Sequence, residues 1–299
     1  MKSKKKILIL GLPLACDILK NILKENYEIV NAQSANYFEI VKKILKCDIV
    51  FYISGGFDIK IWFWAWFFNK RRICHWAGTD SQIKLASINN KVKGFVSKIF
   101  IQTYTSGSKN IYENILKSHY RLKTQVLELT IIDEFEVRKY IKQDKKYDKH
   151  RILIYLAPGR EFVYKYNLMY KIIKKYYDTE FYIVGHNGSD LPHFENLIYL
   201  GKLKREELFG IYNEITILIR ITINDGIAGM VQEALAFGKE VIFNYDIPLV
   251  HKACTMGEIE EILMKLLEKK PEINILSQKK AFELYSYKKF IDNFNKVLK

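Results

Sequence analysis

The chain has 299 residues, of which 49% are hydrophobic, so it can bury the cores of two ordinary domains and is not an intrinsically disordered protein. Its 48 lysines and arginines against 33 acidic residues give a formal net charge of +15, which favours anionic partners such as nucleotide phosphates, anionic lipid headgroups or nucleic acid. The richness in Lys and Ile is equally well explained by genome composition, so the charge alone does not choose among these partners.

Cysteine usage and the N-terminal segment predict a cytoplasmic protein. The four cysteines include no C-x-x-C pair, which argues against a structural zinc site or a disulfide framework and fits a reducing compartment. The basic segment 1–6 precedes only a short apolar run, which is too short for the core of a signal peptide and is typical of a first buried strand. No stretch reaches the roughly 18 apolar residues of a membrane span.

The first half of the chain alternates short apolar runs with segments of helical spacing, and this alternation predicts a parallel sheet covered on both faces. The predicted strands are 7–10, 27–31, 48–53, 72–76, 98–103 and 124–127. The predicted helices are 16–23 and 37–45.

Segment 59–68 is the densest aromatic run of the chain and leads into the basic residues 70–72. Aromatic side chains beside a basic cluster suit a membrane interface, and they also suit a groove for a lipid-linked sugar. A helix buried between the sheet and a neighbouring element is the third interpretation, because aromatic helices usually belong to a core. The segment is too short to span a bilayer.

A charged segment, 134–150, separates the two halves, and we predict that it is a linker or a surface helix. The alternation then begins again. The predicted strands are 151–156, 180–184, 197–200, 215–219 and 240–243, and the predicted helices are 168–176, 205–213, one that carries Glu233, and a final amphipathic helix at 278–299. Two successive βα runs predict two Rossmann-like domains, in which ligands bind where loops converge at the carboxyl ends of the strands.

The segment 225–238 carries the clearest chemical pattern. Asp225 and Glu233 are separated by seven residues, with Gly226 and Gly229 between them and a helix-like run around Glu233. A glycine-rich turn that enters a helix presents N–H groups and the positive end of the helix dipole to a phosphate. Acids before and after that turn can accept hydrogen bonds from sugar hydroxyls, so the pattern suits a nucleotide-sugar. The alternative is a helix N-cap at Asp225 or Asn224, with Glu233 as a solvated helical residue.

This pattern resembles the E-x7-E region of retaining GT-B glycosyltransferases of the GT4 type, with Asp225 in place of the first Glu. The run 234–242 resembles the helix–glycine–strand continuation of that region, and 201–208 resembles a Gly-x-x-x-x-Glu-Glu-Leu helix start in the same enzymes. In the first half of the chain, 75–80 resembles their His-x-x-Gly-Thr/Ser-Asp loop.

The resemblance implies an α/β protein of the GT-B fold, with two Rossmann-like domains whose parallel sheets face a central cleft. It implies an N-terminal acceptor-side domain at 1–133, the linker at 134–150 and a nucleotide-sugar donor domain at 151–275. A C-terminal helix at 276–299 would cross back to the first domain.

The resemblance also implies roles for individual residues. Arg160 and Lys165, five residues apart after a strand, would contact the donor diphosphate, where negative charge develops as the glycosidic bond breaks. Two solvated charges are the alternative interpretation. Asp225 would lie beside the donor sugar, and His75 would hydrogen-bond the donor sugar or the acceptor. The implied catalytic residues are therefore Asp225, His75, Arg160 and Lys165.

Further residues are implied to line the two halves of the cleft. Those that approach the donor are Gly185, Gly226, Ile227, Ala228, Gly229 and Glu233. Those on the acceptor side are Gly11, Gly55, Gly56, Gly78 and Asp80. A helix cap also explains Asp80, and His186, alone in its loop, is interpreted as incidental rather than catalytic.

From this resemblance we predict a retaining, metal-independent glycosyltransferase, similar to hexosyltransferases, that acts on a nucleotide diphosphate-sugar. The acceptor would be a hydroxyl of a glycan or of a lipid-linked sugar. The nucleotide-sugar is a co-substrate, and no cofactor is expected because Gly11-Leu12-Pro13 lacks the G-x-G-x-x-G pattern. The sequence has no D-x-D arrangement in a suitable strand-end loop, so we expect no bound metal.

Two other functions stay open at this point. A DNA-modifying GT-B glucosyltransferase would explain the basic charge, and it would bind with a steep dependence on salt. A non-catalytic GT-B-like subunit that binds nucleotide or membrane would explain the departure at Asp225. Peripheral contact with the inner face of a membrane is a separate expectation that rests on segment 59–68.

Overall fold

The computed structural model describes residues 3–32, 35–53, 58–76, 96, 98–107, 124–223, 225 and 228–299. The contacts divide the chain into two compact units. The first unit consists of Met1–Ile131 together with Tyr287–Lys299, and the second consists of Ile132–Ser286.

The first unit is built on a six-stranded parallel sheet in the order β2-β1-β3-β4-β5-β6. Its strands are β1 (Lys6–Leu10), β2 (Glu28–Val30), β3 (Ile49–Ile53), β4 (Arg71–Trp76), β5 (Thr103–Ser106) and β6 (Thr124–Val126). Its first helices are α1 (Pro13–Leu23), α2 (Tyr37–Lys46) and α3 (Ile59–Phe67). The central strands are buried on both faces, which explains why they are continuous apolar runs rather than alternating ones.

The second unit repeats this plan with a six-stranded parallel sheet in the order β12-β11-β10-β7-β8-β9. Its strands are β7 (Arg151–Tyr155), β8 (Glu180–Val184), β9 (Leu197–Gly201), β10 (Ile217–Arg220), β11 (Glu240–Phe243) and β12 (His251–Lys252). Its helices are α4 (Glu134–Arg138), α5 (Tyr166–Lys175), α6 (Arg205–Glu214), α7 (Gly229–Ala236), α8 (Met256–Leu267) and α9 (Ile275–Tyr285). The two parallel sheets confirm the predicted α/β class with two Rossmann-like halves.

The C-terminal segment forms two helices, so the prediction of one helix over 278–299 is wrong. Helix α9 ends at Tyr285, and α10 (Tyr287–Leu298) follows after Ser286, whose backbone is extended with ψ 159°. The extended residue pairs with the chain at Ile132, whose N–H donates to the carbonyl of Tyr285 at 3.1 Å. This backbone pairing takes the place of the helical hydrogen bonds and separates the two helices.

Helix α10 packs on α1 and on the first sheet. The ring of Phe294 lies edge-on to Phe51 of β3 at 5.5 Å and to Tyr27 at 5.7 Å. The hydroxyl of Tyr27 donates to Asn295 at 2.6 Å. The apolar stripe of α10 therefore forms part of the core of the first unit.

The predicted strand at 98–103 is also wrong, because residues 98–100 are helical and β5 begins only at Thr103. The ring of Phe100 lies against Phe63 and Trp66 of α3, with centroids 6.0 and 5.7 Å apart. Packing against α3 thus takes precedence over the β propensity of this apolar run.

The charged segment 134–150 belongs to the second unit. It begins with α4, and beyond this helix it is tied to α6, where Lys145 pairs with Glu214 at 2.7 Å. The buried amine of Lys239 donates to the hydroxyl of Tyr147, and burial lowers the pKa of Lys239 to about 7. Among the described residues, no helix is long and apolar enough to cross a bilayer.

Candidate functional site

The loops after β7 and β10 meet at the carboxyl edge of the second sheet. The N–H of Ile223, in the loop after β10, donates to the carbonyl of Val163, in the loop after β7, at 2.9 Å. This bond brings the loop that carries Arg160 and Lys165 next to the loop that ends at Asp225. The same edge is where ligands bind in open α/β sheets.

Asp225 forms an ion pair with Arg220, the last residue of β10. The Nε and Nη2 atoms of Arg220 donate to Oδ2 of Asp225 at 2.9 and 2.7 Å. The guanidinium lies 5.1 Å from the ring centre of Tyr155 and 5.4 Å from that of Tyr164. Burial disfavours the charge on Arg220, but Asp225 more than offsets this effect, so the pKa of Arg220 is raised.

The backbone around Asp225 is held as well. Its N–H donates to the hydroxyl of Tyr245 at 3.0 Å, and this hydroxyl donates to the carbonyl of Ile223 at 3.1 Å. The N-cap of α7 is Ala228, so the alternative that Asp225 caps this helix is not what the structure shows. Asp225 therefore lies at a fixed position between β10 and the start of α7.

Glu233 is buried on α7 and is bound by two side chains of α6. Arg205 donates to Oε1 through Nε at 3.0 Å and lies 2.9 Å from it through Nη2, while the hydroxyl of Tyr212 donates to Oε2 at 3.2 Å. Burial raises the pKa of Glu233, and Arg205 opposes that shift. The alternative that Glu233 is a solvated helical residue does not describe this buried carboxylate.

Arg160 and Lys165 have no acidic partner in the part of the chain that the structure describes. Arg160 is exposed in the loop after β7. Lys165 is half-buried at the N-cap of α5 and has a left-handed backbone with φ 48°. A non-glycine residue in this conformation is strained, and such strain is common at functional sites.

The start of α7 lies at the same edge and is not capped by a side chain among the described residues. Its first N–H groups and the positive end of its dipole can therefore receive an anion. Ala228 and Gly229 form this start, whereas the predicted residues Gly226 and Ile227 lie outside the described residues.

Gly185 brings the loop after β8 against the end of β7. Its φ is +99°, and a Cβ atom at this position would lie 2.5 Å from the carbonyl oxygen of Leu156. His186, the next residue, is buried, and its Nδ1 accepts from the N–H of Gly188 at 2.9 Å while Nε2 lies 3.3 Å from Asp190. His186 thus organises its own loop.

The predicted acceptor-side residues lie in the first unit or outside the described residues. Gly11 follows β1 with φ +120°, and a Cβ atom there would lie 2.1 Å from the carbonyl oxygen of Ile53. The residues outside the description are Gly55, Gly56, Gly78 and Asp80.

His75 is buried in β4 as a neutral imidazole. Its Nδ1 lies 2.9 Å from the hydroxyl of Thr105, and its ring stacks on Phe51 with centroids 5.6 Å apart. Its Nε2 has no hydrogen-bond partner among the described atoms. Burial lowers the pKa of His75 from 6.5 to about 4, so the ring is uncharged at neutral pH.

Three side chains that bind the two carboxylates were not predicted from the sequence: Arg220, Arg205 and Tyr212. The position of Arg220 at a strand end, five residues before Asp225, is a weak signal for a partner. Nothing in the sequence marks Arg205, which is separated from Glu233 by a whole strand. No cluster of three or more metal-ligating side chains occurs within the described ranges.

No family model matches the sequence, and no curated protein is similar to it. Solved structures are similar in fold. HepE of Anabaena, in complex with UDP-glucose, superposes with a TM-score of 0.71 and 11% identity over 98% of this chain and 99% of its own. A glycosyltransferase of Rickettsia africae ESF-5 gives 0.66 and 15% over 99% of both chains, and sucrose-phosphate synthase of Thermosynechococcus elongatus gives 0.64 and 9% over 99% and 98%. The predicted GT-B fold class is thereby confirmed.

Proposed function

We propose that this protein is a glycosyltransferase that binds a nucleoside diphosphate-sugar at the carboxyl edge of the second sheet and transfers the sugar to an acceptor hydroxyl. The observation that carries the proposal is the charge arrangement there. Asp225 and Glu233 are each neutralised by an arginine, whereas Arg160 and Lys165 keep their charges without an acidic partner among the described residues. An edge with two unneutralised cations and an uncapped helix start suits a diphosphate.

The chemistry follows from where negative charge develops. As the bond between the sugar and the diphosphate breaks, electrons move onto the leaving phosphate oxygen, and Arg160 and Lys165 would stabilise that charge. Arginine can hold two phosphate oxygens at once, and lysine supplies a compact charge. Asp225 and Glu233 would accept hydrogen bonds from the donor's sugar and ribose hydroxyls.

The fold likeness adds support, because HepE was solved with UDP and with UDP-glucose. The finer proposal is that transfer retains the anomeric configuration and needs no bound metal. The leaving phosphate would then take the proton from the acceptor hydroxyl, so no protein nucleophile is required.

A non-catalytic nucleotide-binding subunit is the second candidate. The observation that favours it is that both carboxylates are already bound by arginine side chains, Asp225 by Arg220 and Glu233 by Arg205. A donor that uses these carboxylates must share them with, or take them from, these arginines.

Donor turnover tests the proposal. The purified protein is incubated with UDP-, GDP- and ADP-sugars and a panel of glycan and lipid-linked acceptors, with and without EDTA, and nucleotide release is measured. We expect release from one donor, insensitive to EDTA and lowered roughly a hundredfold or more in Arg160→Ala. Arg138→Ala, which removes an arginine of α4 that pairs with Glu134, is the matched control and should retain activity.

The proton spectrum of the product gives the anomeric configuration and tests retention. Nucleotide binding without turnover of any donor would contradict the proposal and favour the non-catalytic subunit. Turnover that survives Arg160→Ala and Lys165→Ala would contradict the placement of the diphosphate.

A further inference from the structure

Helix α3 presents a buried face to the sheet and an aromatic face to solvent. Ile61, Trp62 and Ala65 are buried. Phe67, on the opposite side, is 60% exposed and Trp66, at the flank of the buried face, is 45% exposed, which is unusual for side chains of this size. The interpretation of segment 59–68 as a helix buried between the sheet and a neighbouring element therefore holds for one face of α3 only.

The exposed rings form one continuous surface. The ring of Phe63 lies 6.1 Å from both Trp66 and Phe67, and Phe100 lies 6.0 Å from Phe63 and 5.7 Å from Trp66. The rings pack on one another, and no further layer of the described residues covers them.

Helix α2 extends this surface. The indole N–H of Trp64 donates to the hydroxyl of Tyr37 at 2.7 Å and so links the two helices. Phe38 of α2 is 76% exposed, and Leu45 is exposed two turns further along the same helix. A depression of 460 Å³ lies between the helices, lined by Tyr37, Ile59, Lys60, Phe63, Trp64 and Phe100. We name the exposed side of α2, α3 and Phe100 the aromatic face.

Basic side chains accompany the aromatic face. Lys42, Lys43 and Lys46 of α2 and Lys60 of α3 form no ion pair with any residue that the structure describes. Two acids belong to these helices. Glu39 lies in the first turn of α2, and Asp58 is the N-cap of α3, where it accepts from the N–H of Ile61 at 3.4 Å. The four lysines outnumber these two acids, so the face combines exposed aromatic rings with an excess of positive charge.

We propose that the aromatic face docks on the headgroup region of an anionic lipid bilayer. Trp and Phe rings bury their apolar surface at the level of the headgroups, and lysines around them contact anionic lipid while their stems remain in the apolar zone. A neutral protein partner would leave the lysines without counter-charge. This inference goes beyond the proposed function and does not depend on it, because no nucleotide takes part.

Co-sedimentation with vesicles tests the proposal. The full chain is mixed with vesicles of phosphatidylcholine alone or of phosphatidylcholine with phosphatidylglycerol. We expect binding to the anionic vesicles, and a roughly tenfold lower partition coefficient for the double variant Trp66→Ser with Phe67→Ser. Phe135→Ser with Tyr177→Ser is the matched control, since these aromatics of the second unit are 77% and 72% exposed.

A second pair of variants tests the charge. Lys42→Gln and Lys60→Gln should each lower binding to anionic vesicles by roughly fivefold, because each removes one charge near the surface. High salt should also weaken the binding of the unaltered chain to anionic vesicles. At 1 M salt the Debye length falls to about 3 Å, so the attraction between the lysines and the lipid is screened. Thermal melting shows whether each variant is folded. Because the altered side chains are exposed, we expect every variant to fold.

Three results would overturn the proposal. The first is no binding of the unaltered chain to anionic vesicles. The second is equal binding by the Trp66 and Phe67 double variant, which would assign vesicle attraction to the general positive charge. The third is that light scattering shows a dimer for the unaltered chain and a monomer for the double variant, while the unaltered chain does not bind vesicles. This result would assign the face to a second copy of the chain.

Discussion

Asp225 and Glu233, at the carboxyl edge of the second sheet, are each paired with an arginine, and the adjoining loop after β7 carries Arg160 and Lys165. At the corresponding end of β4 in the first sheet, His75 is uncharged, stacks on Phe51 and hydrogen-bonds to Thr105. The two sheets share their architecture, so the difference lies in the side chains that their strand ends carry.

Under the proposed function, this difference gives the two edges distinct tasks. A diphosphate needs positive charge at its binding site, and in the described part of the chain the second edge supplies it with Arg160, Lys165 and the start of α7. A neutral imidazole suits a neutral hydroxyl, because it can donate a hydrogen bond to the hydroxyl or accept one from it. No charged group has to lose its hydration in this contact. Similar folds therefore say little about function until the groups at their edges are compared.

We expect the largest effect on stability when one partner is removed from the ion pair between Arg220 and Asp225, at the carboxyl edge of the second sheet. Asp225→Ala leaves the largely buried Arg220 without its partner, and we expect the free energy of unfolding to fall by about 3 kcal/mol. Urea unfolding of the full chain measures this loss.

A double variant distinguishes pairing from packing. Arg220→Met combined with Asp225→Ala removes both charges, and its stability should lie within about 1 kcal/mol of the original chain. If the double variant is as unstable as Asp225→Ala, the ion pair is not what holds this edge.

The glycines after β1 and β8 test whether the two edges share a steric requirement. Gly11→Ala and Gly185→Ala place a Cβ atom 2.1 and 2.5 Å from a carbonyl oxygen, at positive φ, so each should cost about 2 kcal/mol or more. Gly210→Ala in helix α6 is the control, because a Cβ atom there meets no atom within 4 Å. The control should raise stability by roughly 0.5–1 kcal/mol, and a cost as large as that of the other two would exclude the steric explanation.

The neutral state of His75 predicts a pH dependence for the first unit. The unfolded chain takes up a proton near pH 6.5, whereas the buried ring does so only near pH 4, so the unfolded state binds more protons in between. Lowering the pH through this window therefore favours unfolding.

We expect the original chain to lose about 2 kcal/mol more than His75→Gln between pH 7 and pH 5. Urea unfolding of both chains at the two pH values measures the difference. Equal losses would show that His75 titrates normally, and the contrast between the two edges would then be smaller than the structure shows.

Much of the fold could be predicted because buried parallel strands are readable as apolar runs. The strands at 180–184 and 240–243 were predicted with the bounds of β8 and β11. The errors arose where tertiary contacts determine the secondary structure. The backbone pairing of Ser286 with Ile132 breaks a helix that looks continuous in sequence, and the contact of Phe100 with α3 turns an apolar run away from the sheet.

Helix α8 was not predicted, although its sequence holds a start signal. The hydroxyl of Thr255 accepts from the N–H of Glu258, and the carboxylate of Glu258 accepts from the N–H of Thr255. This capping box is visible in the sequence as Thr-x-x-Glu.

The candidate site could be predicted only in part. Spacing drew attention to Asp225 and Glu233, but it did not indicate that each carboxylate is bound by an arginine. Arg205 and Glu233 meet because α6 and α7 pack together, and with 48 cationic residues in the chain only the tertiary structure selects this one. The remaining predicted positions at 226–227 and in the loops of the first sheet lie outside the described residues and stay predictions.

Calorimetric titration of UDP, GDP and ADP into the full chain, Arg160→Ala, Lys165→Ala and the control Arg138→Ala tests whether the second sheet binds a nucleoside diphosphate at its carboxyl edge. We expect that one nucleotide binds, that each of the two site variants weakens its affinity at least roughly tenfold, and that the control does not. A folded chain that binds none of the three nucleotides, or equal affinity in all four proteins, would contradict this expectation.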